Sequence, residues 1–202
     1  MTITWLGHSC FMLESEGFRV LLDPFRGVQG LEDIETEADA VYCSHGHMDH
    51  AYTEKVRLTS GKVNPFAVHE TAVFHDDQGG ALRGGNTIRK FTAEGLSVVH
   101  LGDLGHLLTP EQAADVVHCD VLLAPVGGYF TIDAAAAKTV AETLRAKVVV
   151  PMHYRNGAAG FDVLGTLEDF TGLYPEGMVR RYGNSLTVEK DMPEQIAVLS
   201  LA

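Results

Sequence analysis

Three imidazoles and one carboxylate fall within six residues in His45-Gly46-His47-Met48-Asp49-His50, directly after the apolar run Ala40-Val41-Tyr42-Cys43. Histidine is the commonest nitrogen ligand of zinc-like metals, and a carboxylate adds a hard oxygen donor. A buried strand over Ala40–Cys43 would aim these side chains at one point, which makes a metal site the economical reading. Three more polar residues end apolar runs in the same way: His75 after Ala72-Val73-Phe74, Asp103 after the run from Val98, and His153 after the run from Val148. Functional side chains gather at strand ends and on loops held by a rigid sheet. The set suits two metals, with His45, His47 and His75 on one ion, Asp49, His50 and His153 on the other, and Asp103 bridging. Neutral imidazoles fix such ions without cancelling their Lewis acidity, and the carboxylates offset the charge of two neighbouring dications. A water bridging ions ~3.5–4 Å apart becomes a nucleophile near neutral pH. The expected chemistry is hydrolysis of an ester, lactone or phosphoester by that hydroxide, with Asp49 also a candidate proton acceptor.

The elements that must position these residues are mostly short apolar runs bounded by Gly, Pro, Asp and Asn. The pattern predicts strands at Thr2–Trp5, Cys10–Glu14, Arg19–Asp23, Ala40–Cys43, Ala67–Phe74, Thr87–Thr92 and Leu96–Leu101. The second half alternates: a helix from Pro110 after the cap Thr109, a strand Val121–Ala124, a helix Asp133–Arg145 and a strand Lys147–Val150. Ala137, Val140, Ala141 and Leu144 recur at helical spacing and form one apolar face. A helix near Leu167–Leu173 and strands Ser185–Glu189 and Gln195–Leu199 close the chain. Two sheets packed face to face, with helices outside, accommodate this order. One domain over residues 1–202 is expected from the length.

With 27 acidic and 15 basic residues, the formal charge of −12 disfavours nucleic acid or an anionic membrane as partner, because phosphate binding needs a basic footprint. A small-molecule substrate is the expected partner, and exposed sheet edges leave room for self-association into a homo-oligomer. Cys10, Cys43 and Cys119 are widely spaced, without a C-x-x-C pair, and read as buried thiols of a reducing compartment. Thr2–Trp5 follows no basic, apolar leader, and no apolar stretch approaches the ~20 residues of a membrane span. The cytoplasm is the expected location.

The string His45 to His50 matches the H-x-H-x-D-H hallmark of the metallo-β-lactamase superfamily, and Phe74-His75-Asp76, Leu101-Gly102-Asp103 and Pro151-Met152-His153-Tyr154 match its later motifs. The chain resembles that superfamily over nearly its whole length. More narrowly, it resembles a small bacterial branch related to the ascorbate-6-phosphate lactonases, through Trp5-Leu6-Gly7-His8-Ser9, Asp23-Pro24-Phe25, Arg83-Gly84-Gly85-Asn86-Thr87, His100 to His106 and Pro125-Val126-Gly127-Gly128. The resemblance implies an α/β fold, the four-layer αβ/βα sandwich of two mixed sheets flanked by helices, and a dinuclear site. Two zinc ions per chain are expected, with manganese as the alternative. The stretch between His50 and His75 is short for the superfamily, and the larger substrate-binding insertions of the lactonases are missing, so their substrate does not transfer.

Other candidates carry less specific signals. His106 could protonate a leaving group or orient Asp103; His8 and Asp23 could support metal ligands from behind; Arg83 and Asn86 could contact substrate. His69 and His100 compete with His75 as third histidine, and both read better as structural. The segments Gln78–Asn86 and Asn156–Gly165 are expected to shape the pocket. The rival functions are a mononuclear iron oxidoreductase of the persulfide dioxygenase type and a metal-binding protein without turnover. Nuclease activity is opposed by the charge, and β-lactam hydrolysis by the lack of a signal peptide.

Overall fold

The computed structural model describes residues 1–59 and 61–201, so the expected domain, 1–202, includes Ser60 and Ala202 outside the described residues. Strands β1 (Thr2–Gly7), β2 (Cys10–Ser15), β3 (Phe18–Leu22), β4 (Thr36–Ala38), β5 (Ala40–Tyr42) and β6 (Val56–Leu58) come first, then β7 (Ala67–Phe74), β8 (Gly85–Ala93) and β9 (Leu96–His100). Helix α1 (Pro110–Val116), β10 (Val121–Pro125), α2 (Ala134–Leu144), β11 (Val148–Met152) and α3 (Leu167–Thr171) then alternate. A 3-10 turn (Glu176–Met178) leads to β12 (Val179–Arg181), β13 (Ser185–Thr187) and β14 (Gln195–Val198).

The strands form two mixed sheets, ordered β13-β1-β2-β3-β5 and β12-β14-β11-β10-β9-β8-β7, and a separate ribbon β4-β6. Strands β9, β10 and β11 are buried along their whole length, as parallel strands covered on both faces must be. The small sheet alternates instead. Phe11, Leu13, Val20 and Leu22 join the main core, whereas Cys10 and Leu21 point the other way, into a second cluster with Phe25, Val28, Ile34 and Ala38. The layer over that outer face is therefore coil and ribbon, while α1, α2 and α3 belong with the large sheet and with one another.

Local signals and tertiary structure agree at the helices. Thr109 and Gln112 make a reciprocal capping box with Pro110 in the first turn, and the Asp133 side chain accepts a hydrogen bond from the amide of Ala136 at 2.9 Å. Ala137, Val140, Ala141 and Leu144 are the buried face of α2, as their spacing requires. The short β4, β6 and β12 have no counterpart among the expected strands: three residues are too few to display an alternation. No helix among the described residues is long and apolar enough to cross a membrane.

Phe25 is 1% exposed in the outer cluster, and its ring meets that of His8 edge-on at 6.3 Å between centroids. We expect Phe25→Ala to cost about 3–5 kcal/mol, by lost burial plus the cavity left in a coil-built layer. Urea unfolding of the metal-free protein checks this, and a loss below about 1 kcal/mol would mean that the layer contributes little.

Candidate metal centre

Every sequence-predicted metal donor lies just beyond the C-terminal end of a strand. The loop 45–50 follows β5, His75 follows β7, Asp103 follows β9 and His153 follows β11. His8 follows β1 and Asp23 follows β3. Pairing directions explain the convergence: β1 and β3 flank β2 antiparallel and β5 runs parallel to β3, while β7 and β9 flank β8 antiparallel and β10 and β11 continue in parallel. Within each sheet the site-bearing strands thus point the same way.

The donor atoms fall into groups. His45, His47 and His75 offer one set of ligand atoms within 4.8 Å of one another, and His8, Asp49, His50 and His153 offer another. Asp103 joins them: its Oδ2 lies 3.3 Å from His75 Nε2, 3.2 Å from His50 Nε2 and 3.3 Å from His153 Nε2. The other oxygen, Oδ1, has no hydrogen-bond partner although it is buried, and the same holds for His50 Nε2, His75 Nδ1 and both ring nitrogens of His8 and His153. Orphaned buried polar atoms are rare and each costs about 1–3 kcal/mol. So many at one point fit a cation, since divalent metals satisfy imidazole nitrogen and carboxylate oxygen together.

Neighbours set which ring nitrogen is free. Asp23 accepts hydrogen bonds from the Ser44 amide (2.6 Å), the Ser44 hydroxyl (2.6 Å) and His50 Nδ1–H (2.9 Å). With its proton given to Asp23, the Ser44 oxygen can accept from His45 Nδ1–H at 3.0 Å. His45 Nε2 is then bare and sits 3.0 Å from His47 Nδ1. Asp23 thus contacts candidate donors of both groups, through Ser44 to His45 and directly to His50. Asn86 does something similar for Asp103. Its amide NH2 donates to the Leu101 carbonyl at 2.8 Å, and its Oδ1 accepts from the Asp103 N–H at 3.1 Å. Gly102 at φ +55° permits this approach, because a Cβ there would collide with Asn86 Oδ1 and Ser44 Cβ. Asn86, expected as a substrate contact, is 3% exposed and committed to the backbone.

His106 is likewise given another task. Its Nε2 accepts the Phe74 N–H at 3.1 Å and its Nδ1–H donates to the Leu107 carbonyl at 2.7 Å, so neither nitrogen is left for a leaving group. His100 is structural, as expected, donating from Nε2 to Ser9 O (3.0 Å) and accepting the Gly102 N–H (3.1 Å). His69 is exposed on β7. The three cysteines are unpaired, and burial pushes the thiol of Cys43 up to about 11 and that of Cys119 to about 12, so neither is a ready thiolate ligand.

The donors open into a cavity of about 230 Å³ lined by His47, Asp49, His75, Arg83, Asp103, Phe130 and Phe161. Arg83 donates to the Tyr129 carbonyl at 3.1 Å, with its guanidinium 5.7 Å from the Phe130 ring centroid. Asp76 builds the loop that delivers it, taking the backbone N–H groups of Gln78, Gly80, Leu82 and Arg83. Burial opposes ionisation of Asp76, yet those four bonds outweigh it and hold the carboxyl at about 2. Sequence reasoning missed this organising role, and those of Ser44 and Phe130, while Phe161 falls within the segment Asn156–Gly165 that was expected to shape the pocket. The turn-prone run Asp76-Asp77-Gln78-Gly79-Gly80 was the available sign for the first. A larger groove of about 510 Å³ beside α2, around Lys138, Arg145 and Tyr174, contains none of the donors.

Charge is distributed to favour a cation. Burial presses the imidazoles toward neutrality, His45 to about 3 and His8 to about 4. Burial of Asp49 resists ionisation, but its interaction with His8 and the charge of His50 prevail and keep it below the ordinary carboxylate range. Burial also acts to lower His50, yet Asp103 and Asp23 on its two sides push it well above 6.5.

A double-sheet sandwich with imidazoles and carboxylates along strand C-termini defines the metallo-β-lactamase fold. The sequence model of the family described as Beta-lactamase superfamily domain matches residues 2–153. A UPF0173 metal-dependent hydrolase of Geobacillus sp. (strain WCH70) is 28% identical, over 89% of this chain and 96% of its own. One from Methanoregula boonei is 31% identical, over 76% and 82% respectively. A Thermotoga maritima crystal structure, described as a candidate zinc-dependent hydrolase of the metallo-beta-lactamase superfamily, aligns with TM-score 0.79 at 36% identity, covering 100% of this chain and 99% of that one. The chain belongs to the metallo-β-lactamase superfamily, in the branch of the UPF0173 metal-dependent hydrolases.

The raised pKa of His50 makes metal uptake a competition with a proton. Without a cation, the Asp103 and Asp23 carboxylates favour a second proton on His50, and ligation through Nε2 requires its release. Affinity should therefore rise with pH through the neutral range. Calorimetry in buffers of different ionisation enthalpy should show proton release on metal binding at pH 7; uptake that is independent of buffer would contradict it.

Proposed function

We propose that the protein is a single-domain, dinuclear metal-dependent hydrolase acting on a small ester, lactone or phosphoester. Zinc is the proposed ion, with manganese as the alternative. His45, His47 and His75 would hold one ion, and Asp49, His50 and His153 the other, with Asp103 shared. The observation that carries this reading is the single oxygen of Asp103 within 3.3 Å of imidazoles from both groups. Divalent ions bound there supply Lewis acidity and a water acidic enough to ionise near neutral pH. A mononuclear iron oxidoreductase would need only one donor group, and the second speaks for two ions.

The chain's own residues account for the other requirements. Asp49 lines the cavity and stays ionised, so it can hold the attacking water by accepting its hydrogen bond and take its proton. Arg83 is the one cationic side chain among the lining residues and suits a carboxylate, a phosphoryl oxygen or a developing oxyanion. Phe130 and Phe161 offer flat apolar walls to the organic part of the substrate and exclude water. A cavity of about 230 Å³ suits a small molecule, and the charge of −12 disfavours nucleic acid. Free thiols at Cys10, Cys43 and Cys119 agree with a cytoplasmic location.

Elemental analysis of protein prepared without chelators should find about two transition-metal ions per chain. A screen of lactones, phosphodiesters and thioesters should reveal hydrolysis that His47→Ala abolishes. Arg83→Ala should raise KM for an anionic substrate by about tenfold or more, the effect of losing a charge-assisted hydrogen bond worth about 1.5–3 kcal/mol, with a smaller change for a neutral one. Absence of bound transition metal would refute the reading, as would hydrolysis surviving His47→Ala.

A further inference from the structure

His8 occupies an expensive position for a residue with no function. It forms with Ser9 the two-residue turn between β1 and β2, where Gly7 pairs with Cys10, and its φ is +51°. Only a few per cent of non-glycine residues adopt that left-handed conformation, histidine more often than most, and it costs about 1–2 kcal/mol. Its carbonyl is tied down by Trp5 Nε1–H at 3.0 Å and by the His153 N–H at 3.4 Å. The ring is fixed as firmly, meeting Phe161 edge-on at 5.8 Å and lying 4.2 Å from the His153 ring.

The side chain is 3% exposed, and neither ring nitrogen has a hydrogen-bond partner. His100, equally buried, shows what a structural histidine looks like here, with both nitrogens bonded to backbone. His8 Nε2 instead lies 3.6 Å from Asp49 Oδ2. That is too long for a good hydrogen bond. It falls within the separations of two ligands on one five-coordinate ion, about 2.9–3.6 Å for bonds of 2.0–2.1 Å and angles of 90–120°. His8, Asp49, His50 and His153 each bring a ligand atom within 4.8 Å of the others.

Resting on the dinuclear reading, we propose that His8 is a direct ligand of the ion held by Asp49, His50 and His153, and not merely a support behind its ligands. The two positions are then unequal. The second is closed by three buried imidazoles, Asp49 and the shared Asp103, and none of those imidazoles lines the cavity. The first has His47 and His75 on the cavity wall, and it is the position left open to substrate and water.

The test uses His8→Asn and His8→Gln in the full chain. Asparagine suits a positive φ and is too short to reach the ion, while glutamine keeps hydrogen-bonding capacity behind the ligands. Titration with cobalt(II) alone should fill two positions in the parent. Both variants should lose more than about a hundredfold in affinity at one position, beyond the roughly 10–100-fold that loss of a partner behind a ligand costs, and retain the other; a smaller loss, or one that glutamine restores, would make His8 a support and not a ligand. The metal-free His8→Asn protein should melt no lower than the parent, since an orphaned imidazole and a strained backbone are relieved. In the cobalt-loaded protein, proton NMR should show one paramagnetically shifted imidazole N–H fewer in each variant, with a changed visible spectrum for the weakened position. Two cobalt ions bound at parental affinity, with parental spectra, would overturn the His8 assignment alone. A parent that binds one ion or none would instead overturn the dinuclear reading.

Discussion

The carboxylate of Asp103 is the constraint around which the structure is arranged. It is 1% exposed, one oxygen faces three imidazoles at 3.2–3.3 Å, and the other has no partner. A buried charge in such surroundings is costly unless cations and hydrogen bonds balance it. Its position is held by the N–H bond to Asn86 and by a glycine at 102 that leaves no room for a side chain. Losing either contact would move the atom that links the two donor groups.

The sandwich supplies what a single loop cannot. Strands from both sheets end at one edge, so donors far apart in sequence meet there on rigid supports. The cost is visible in the backbone. Three of the eight non-glycine residues with positive φ among the described residues, His8, Asp23 and His153, lie at the donors, with φ of +51°, +44° and +54°. Strain of about 1–3 kcal/mol per residue persists only where the surroundings enforce it, and it tends to cluster at functional sites. Here it turns a strand end abruptly so that a ring or carboxylate points inward, and a divalent ion would recover the free energy spent.

Much of this was legible in the sequence. The candidate donors stand out because they end apolar runs or cluster in the loop after one, and β9, β10 and β11 were readable as unbroken apolar segments. Asp23 also stood out, though only the fold reveals that one carboxylate serves Ser44 and His50 together. The misreadings have a common physical origin. His106 and Asn86 have the right chemistry for a site, yet backbone groups brought near by tertiary folding consume their hydrogen-bonding capacity. Phe130 gave no signal, and Phe161 was legible only through its segment, because an apolar residue in a loop looks the same whether it walls a cavity or packs against a sheet. The ribbon β4-β6 and the coil over the small sheet were hidden because strands of three residues carry no periodicity.

Diffraction from metal-loaded crystals, collected on both sides of the metal's absorption edge, tests the central claim most directly. Two anomalous peaks should appear, one beside His45, His47 and His75 and one beside Asp49, His50 and His153, with Asp103 between them at a separation of about 3.5–4 Å. A single peak, or a pair that does not flank Asp103, would contradict the account.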